Sequence, residues 1–105
     1  MKKLAIFVII GASIAGAAYA AEHVVEQKGK AFTVKQIKVK VGDTVDFKNA
    51  DPFNHNVFSL SDAKTFDLGS YPQGGSKKVT FDKPGTVEVE CAIHPEMKMN
   101  VEVAK

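Results

Sequence analysis

The stretch Cys91-Ala92-Ile93-His94-Pro95-Glu96-Met97 holds the only cysteine of the chain, a histidine three residues on and a methionine three beyond that. A thiolate, an imidazole and a thioether make a mixed soft and borderline donor set. Copper suits it, because copper must be held as both Cu(I) and Cu(II). A trigonal site of two histidines and one thiolate, with a long axial methionine, is the electron-transfer arrangement of that metal. The loop supplies one histidine, so another must come from elsewhere. Of the three histidines, His55 in Phe53-Asn54-His55-Asn56-Val57-Phe58 is the natural second imidazole, since it precedes an apolar run and follows Asp51-Pro52. Zinc is the competing metal. A structural zinc site more often brings further Cys or His, and methionine serves it poorly. Taken singly, Cys91 reads as a small buried hydrophobe and Met97 as core filling; their combination with His94 and His55 points to a metal. Pro95 restricts the backbone and sets the curl of the loop in advance, which lowers the entropy cost of forming a site.

These residues need strands to place them. Gln36 to Val41 and Thr44 to Lys48 alternate polar and apolar residues, the period of half-buried strands, and Gly42-Asp43 links the two runs tightly. Val79 and Phe81 share one face of a further run. Val87, Val89 and Cys91 share one face of the next, which places the thiol at a strand end before Pro95 turns the chain away. Val101 and Val103 mark a last short strand, and His23–Gln27 and Ala31–Val34 mark two near the start. Residues 60–76, rich in polar and turn residues, read as a long connection with a helical turn near Ser61–Lys64. The pattern predicts an all-β chain, a Greek-key β-sandwich of about seven to eight strands.

The N-terminus reads Met1-Lys2-Lys3, then an apolar stretch over residues 4–18, then Ala18-Tyr19-Ala20. This is the layout of a cleaved secretory leader over 1–20. The apolar stretch is short of the roughly 20 residues that span a bilayer, so a transmembrane anchor is the weaker reading. Residues 21–105 then form one domain, exported and placed in a periplasm, with no stable membrane association. The formal charge of +2 belongs to Lys2 and Lys3, so the remainder is near neutral. Arginine is absent from the sequence, and nucleic-acid binding gains no support. An unpaired cysteine in an oxidising compartment is a free thiol, an intermolecular bridge or a ligand. Cleavage after Ala20 would also expose Ala21-Glu22-His23, a pattern able to hold Cu(II) through nitrogen atoms, against the plainer reading of His23 as a strand residue.

Asn54-His55-Asn56-Val57 together with Cys91-x-x-His94-x-x-Met97 resembles the small blue copper proteins, the cupredoxins, and among them the short-loop pattern of amicyanin more than that of plastocyanin. The resemblance covers about residues 30–105, including Gly42–Val45 and the Pro84-Gly85 turn. It implies an eight-stranded sandwich with one type 1 copper at one end. The implied equatorial ligands are His55, Cys91 and His94, and the implied weak axial ligand is Met97. Asn56 is implied to tie the two ligand loops together, with its amide near the Cys91 sulfur. Glu90 stands where plastocyanins carry a docking tyrosine, and Glu96 where amicyanin is apolar. Glu96 is therefore a rival axial ligand to Met97, while Met99 reads as packing.

The function expected is a non-enzymatic monomer that shuttles single electrons between redox proteins, docking them near His94 on a collar of Pro52, Phe53, Ile93 and Pro95. The alternative is a copper chaperone or store without redox turnover, which would favour an exposed, methionine-rich site. An oxidase or reductase ranks last, since four ligands leave no open position.

Overall fold

Alternation of β-branched and aromatic residues with polar ones builds most of this molecule. A computed structural model describes residues 20–105. Nearly all of the leader expected over 1–20 lies outside the described residues. Eight strands follow in order: β1 Glu22–Gln27, β2 Gln36–Lys40, β3 Thr44–Asn49, β4 His55–Ser61, β5 Lys64–Tyr71, β6 Ser76–Thr80, β7 Gly85–Glu90 and β8 Lys98–Ala104. They form a five-stranded sheet in the order β2-β8-β7-β4-β5 and a three-stranded sheet in the order β1-β3-β6. Val45 and Phe47 of β3, Val79 of β6, Val87 and Val89 of β7, and Val101 and Val103 of β8 are all buried in one core with Phe81 and Val57. Successive strand residues point to opposite faces, so each alternating run delivers one apolar edge to that core. Among the described residues no helix is long and apolar enough to cross a membrane.

The tight link expected at Gly42-Asp43 is present, and other connections differ from expectation. The link at Gly42-Asp43 does not fold β2 back on β3. It carries the chain from one sheet to the other, where β2 pairs in parallel with β8 and β3 in parallel with β1. Gly42 adopts φ 98°, and its amide donates to the Phe81 carbonyl at 2.7 Å, so the turn is sealed by a loop of the facing sheet. Residues 60–76 are not one long connection: they contain the end of β4, the whole of β5 and the start of β6. In place of a helical turn, Asp62-Ala63 joins β4 to β5 as a tight hairpin, with Ser61 paired to Lys64. Ala31–Val34 is a loop that touches the sheet by one bridge, Phe32 to Gln27.

The β4–β5 pair is irregular where it matters for the site. His55 pairs with Tyr71 and Asn56 with Ser70, but Phe58 pairs with Asp67, so β5 carries one residue too many opposite Val57. Gly69 sits there at φ 74°, a conformation that costs glycine little. Lys64, Phe66 and Leu68 face inward before this bulge, and the extra residue turns Tyr71 inward after it. The Tyr71 hydroxyl then donates to the Phe47 carbonyl at 2.8 Å, joining the two sheets beside His55. Burial, chiefly, raises the Tyr71 pKa, with Asp46 and Cys91 adding to it.

Candidate metal centre

Four connections meet at the end of the sandwich where β1, β3, β5 and β7 finish. Cys91 follows directly on β7 and extends its inward row of Val87 and Val89, so its thiol is buried, 1% exposed. His55 opens β4, and its ring is fully buried on the inward face shared with Val57 and Ser59. The segment between β7 and β8 closes on itself. The Met97 amide donates to the His94 carbonyl at 2.9 Å, and the Cys91 amide donates to the Met97 carbonyl at 3.3 Å. Met97 is thereby buried at the foot of this turn, while His94 stays half-buried at its rim.

The sulfur of Cys91 lies 3.7 Å from His55 Nδ1 and 3.9 Å from His94 Nδ1. All three donor atoms fall within 4.8 Å of one another. These spacings suit three ligands around one ion, and the donor chemistry suits copper. Cys91 is a free thiol, so no disulfide competes for the sulfur. Glu96 is exposed and stands outside this group, and Met99 packs into the core. The two histidine rings meet edge to face, with centroids 4.9 Å apart.

The two loops are strapped by Asn56, whose Oδ1 accepts the Ala92 amide at 2.6 Å. This bond joins the segment after Cys91 to the start of β4 through the Asn56 side chain. The Asn56 backbone amide makes no hydrogen bond to the Cys91 sulfur among the described residues. Phe53 stands beside the His94 ring, with ring centroids 5.5 Å apart, and Ile93, next to His94 in sequence, is 51% exposed. Pro52 and Pro95 are exposed beside them in sequence.

Asp51 is a site residue that sequence reasoning passed over. Its Oδ2 lies 2.7 Å from His55 Nε2, on the side of the ring away from Cys91. The carboxylate also accepts the Gly29 amide at 2.7 Å and the Lys30 amide at 3.0 Å. Burial opposes its charge, but the hydrogen bonds from His55, Lys30 and Gly29 outweigh this and hold the carboxyl below its ordinary pKa. The available signal was an acid four residues before the histidine in D-P-F-N-H.

Buried Asn49 organises the same turn. Its Nδ2 donates to the Phe53 carbonyl at 2.8 Å and the Tyr71 carbonyl at 3.0 Å, and its Oδ1 accepts the Asp51 amide at 2.8 Å.

His23 lies at the opposite end of the molecule. Ala21 and His23 are not arranged as a chelate: the Ala21 carbonyl accepts the Thr44 amide at 3.0 Å, and residues 22–27 run in β1. A square-planar nitrogen site would require these residues to leave the sheet, because a strand turns successive amides to opposite sides. His23 Nε2 instead meets Asp43 Oδ2 at 3.0 Å, and the Ala21 amide donates to Asp43 Oδ1 at 2.9 Å.

Comparison with known proteins places this geometry. Methylamine utilization protein MauL of Methylorubrum extorquens is 33% identical over 69 residues, which cover 65% of this chain. The chain spans about 60% of the length of that relative. A substituted amicyanin solved in its Cu(I) form superposes with a TM-score of 0.72 at 26% identity, covering 77% of this chain and 80% of the amicyanin. A copper-containing nitrite reductase from Thermus scotoductus superposes with a TM-score of 0.76 at 27% identity; the match covers 89% of this chain but 25% of the reductase. Residues 19–104 match the copper binding proteins of the plastocyanin/azurin family. The chain belongs to that family of small blue copper proteins, and copper is its cofactor.

Proposed function

We propose that this chain is an exported carrier of single electrons, holding one copper through His55, Cys91 and His94 with Met97 as the weak fourth ligand. The observation that carries the assignment is a buried thiol flanked by two imidazole Nδ1 atoms at 3.7 and 3.9 Å. Copper bound there supplies a one-electron couple between Cu(II) and Cu(I). The chain supplies the rest. Burial of Cys91 keeps water and oxidants from the sulfur. His55 is held from behind by Asp51, and the turn from Cys91 to Met97 is closed by its own backbone hydrogen bonds. A site fixed by its surroundings rearranges little when its charge changes, which is what fast electron exchange requires.

His94 is the ligand nearest solvent, so electrons enter and leave through its ring edge. Phe53 and Ile93 give that edge an exposed apolar rim suited to brief docking of a redox protein at the small end of interface sizes. The relation to a methylamine utilization protein and to amicyanins supports a redox-protein partner. Residues 1–20, read as a cleaved leader, support export to the periplasm and leave 21–105 as the working domain. With Met97 as a fourth donor beside His55, Cys91 and His94, the proposed ligand set would leave copper no open position, which favours a carrier over an enzyme. A copper store or chaperone is the alternative; the burial of Cys91 and Met97 favours slow metal exchange and the carrier.

The test is the visible absorption of residues 21–105 titrated with Cu(II), beside Cys91→Ser. Intense blue absorption saturating at one copper per chain, and lost in the variant, is expected. A colourless or pale complex would rule out the thiolate–copper centre. Reversible cycling at a stable potential then separates a carrier from a store.

A further inference from the structure

We propose that Asp51 is a positioning residue that fixes which nitrogen of His55 faces the metal and, through its charge, lowers the reduction potential of the centre. The second half rests on the copper reading given above; the first half does not.

An imidazole presents a free lone pair at one ring nitrogen only when the other carries the proton. His55 Nε2 lies 2.7 Å from a carboxylate oxygen, so a proton must sit between them. The carboxylate is the deprotonated partner, because it already accepts two backbone N–H groups. The proton therefore sits on Nε2, and Nδ1 presents its lone pair toward the Cys91 sulfur 3.7 Å away. In the opposite tautomer two lone pairs would face each other across 2.7 Å inside the protein.

The carboxylate has little freedom to move. Gly29 and Lys30 take successive left-handed conformations, with φ 68° and 58°, and turn both amides onto the one anion. Left-handed backbone is unfavourable for lysine, and the surrounding structure must hold it there. The Asp51 amide is itself anchored on Asn49 Oδ1 at 2.8 Å. Surface loop, carboxylate and ligand thus form one chain of hydrogen bonds that ends at His55 Nε2, the ring nitrogen turned away from the sulfur. Among the described residues His94 has no such partner on its outer nitrogen, so the two imidazoles differ: one anchored and electron-rich, one at the rim. A charged acceptor behind a ligand imidazole raises its basicity and favours the more positive metal ion.

The tautomer is read first, by nitrogen NMR on the metal-free protein. The expected result is a slowly exchanging Nε2–H on His55 that is lost in Asp51→Ala; a proton on Nδ1 in the wild type overturns this half of the proposal. The charge is read on the copper-loaded protein with Asp51→Asn, which keeps an acceptor of similar shape. The blue absorption should persist, while Cu(II) affinity falls about 10- to 100-fold relative to Cu(I). Each tenfold raises the potential by about 59 mV for one electron. An unchanged potential in a blue Asp51→Asn protein overturns the electronic role. Should Asp51→Asn not fold, Asp51→Glu against Asp51→Gln makes the same comparison of charge at constant size. A wild type that never turns blue would defeat the copper assignment instead, with the tautomer measurement still deciding the first half.

Discussion

Gln27 is fully buried at the end of β1, yet neither atom of its side-chain amide has a hydrogen-bond partner in the protein. A buried polar group without a partner costs about 1–3 kcal/mol. Gln27→Met keeps the length of the side chain and removes the unsatisfied amide. The melting temperature should rise, by about 4–8 °C for each kcal/mol recovered in a domain of this size; a fall would show that the amide is satisfied by a buried water. Asp43 is the opposite case. The side-chain hydrogen bond from His23, with those from the Lys40 and Ala21 amides, lowers its pKa from 3.8 to about 2. A carboxylate depressed in the folded state stabilises the fold above its unfolded pKa, and that contribution disappears as pH falls through the folded value. Wild-type stability should therefore drop between pH 4 and 2 more steeply than that of Asp43→Asn, which can be followed by thermal melts across that range. Parallel acid limbs in the two proteins would mean that the charge of Asp43 plays no part.

The turn between β3 and β4 is built around one side chain, so its strength can be measured there. Asn49→Ala would orphan the Phe53 and Tyr71 carbonyls and the Asp51 amide, at a cost of about 2–4 kcal/mol. Denaturant unfolding should show this as a lower midpoint with an unchanged slope, and a loss below about 0.5 kcal/mol would assign the turn to other contacts. The same turn shows what the sequence could and could not disclose. The cluster of His55, Cys91 and His94 was legible because donor chemistry and spacing survive without coordinates. The strands around them were legible where alternation was clean, as in Val87-Glu88-Val89 or Thr44 to Lys48. β5 was not: Phe66-Asp67-Leu68 alternates, but Gly69, Pro72, Gly74 and Gly75 outweighed it as turn signals, and Gly69 proves to be a bulge inside the strand. The route from β2 to β3 was hidden because a two-residue link looks the same whether it folds a hairpin or crosses between sheets. Asp51 was hidden for a related reason. Asp-Pro reads as a turn opener, and its bond to His55 depends on the Gly29-Lys30 loop, which arrives from a distant part of the chain.

At the scale of the molecule, the fold separates two polar clusters to opposite ends of the same strand. Asp43 precedes β3 and Asn49 ends it, about 20 Å apart at roughly 3.3 Å per residue. Between them Val45 and Phe47 sit in the apolar core. The Asp43 cluster joins the β1 and β2 ends and closes the β2–β3 crossing. The Asn49–Asp51 cluster positions His55. Distant sites without shared partners contribute independently, within about 0.3–0.5 kcal/mol. Asp43→Asn should therefore lower the stability of the metal-free protein yet leave the blue absorption and the potential as in the wild type. Combined with Asn49→Ala, the two losses should add, and copper should raise the melting temperature of Asp43→Asn by as much as that of the wild type. Asn49→Ala, which frees the Asp51 backbone, should move potential and stability together. A shifted potential in Asp43→Asn, or a double variant far from additive, would mean that the core transmits strain along β3 and that the two ends form one cooperative site.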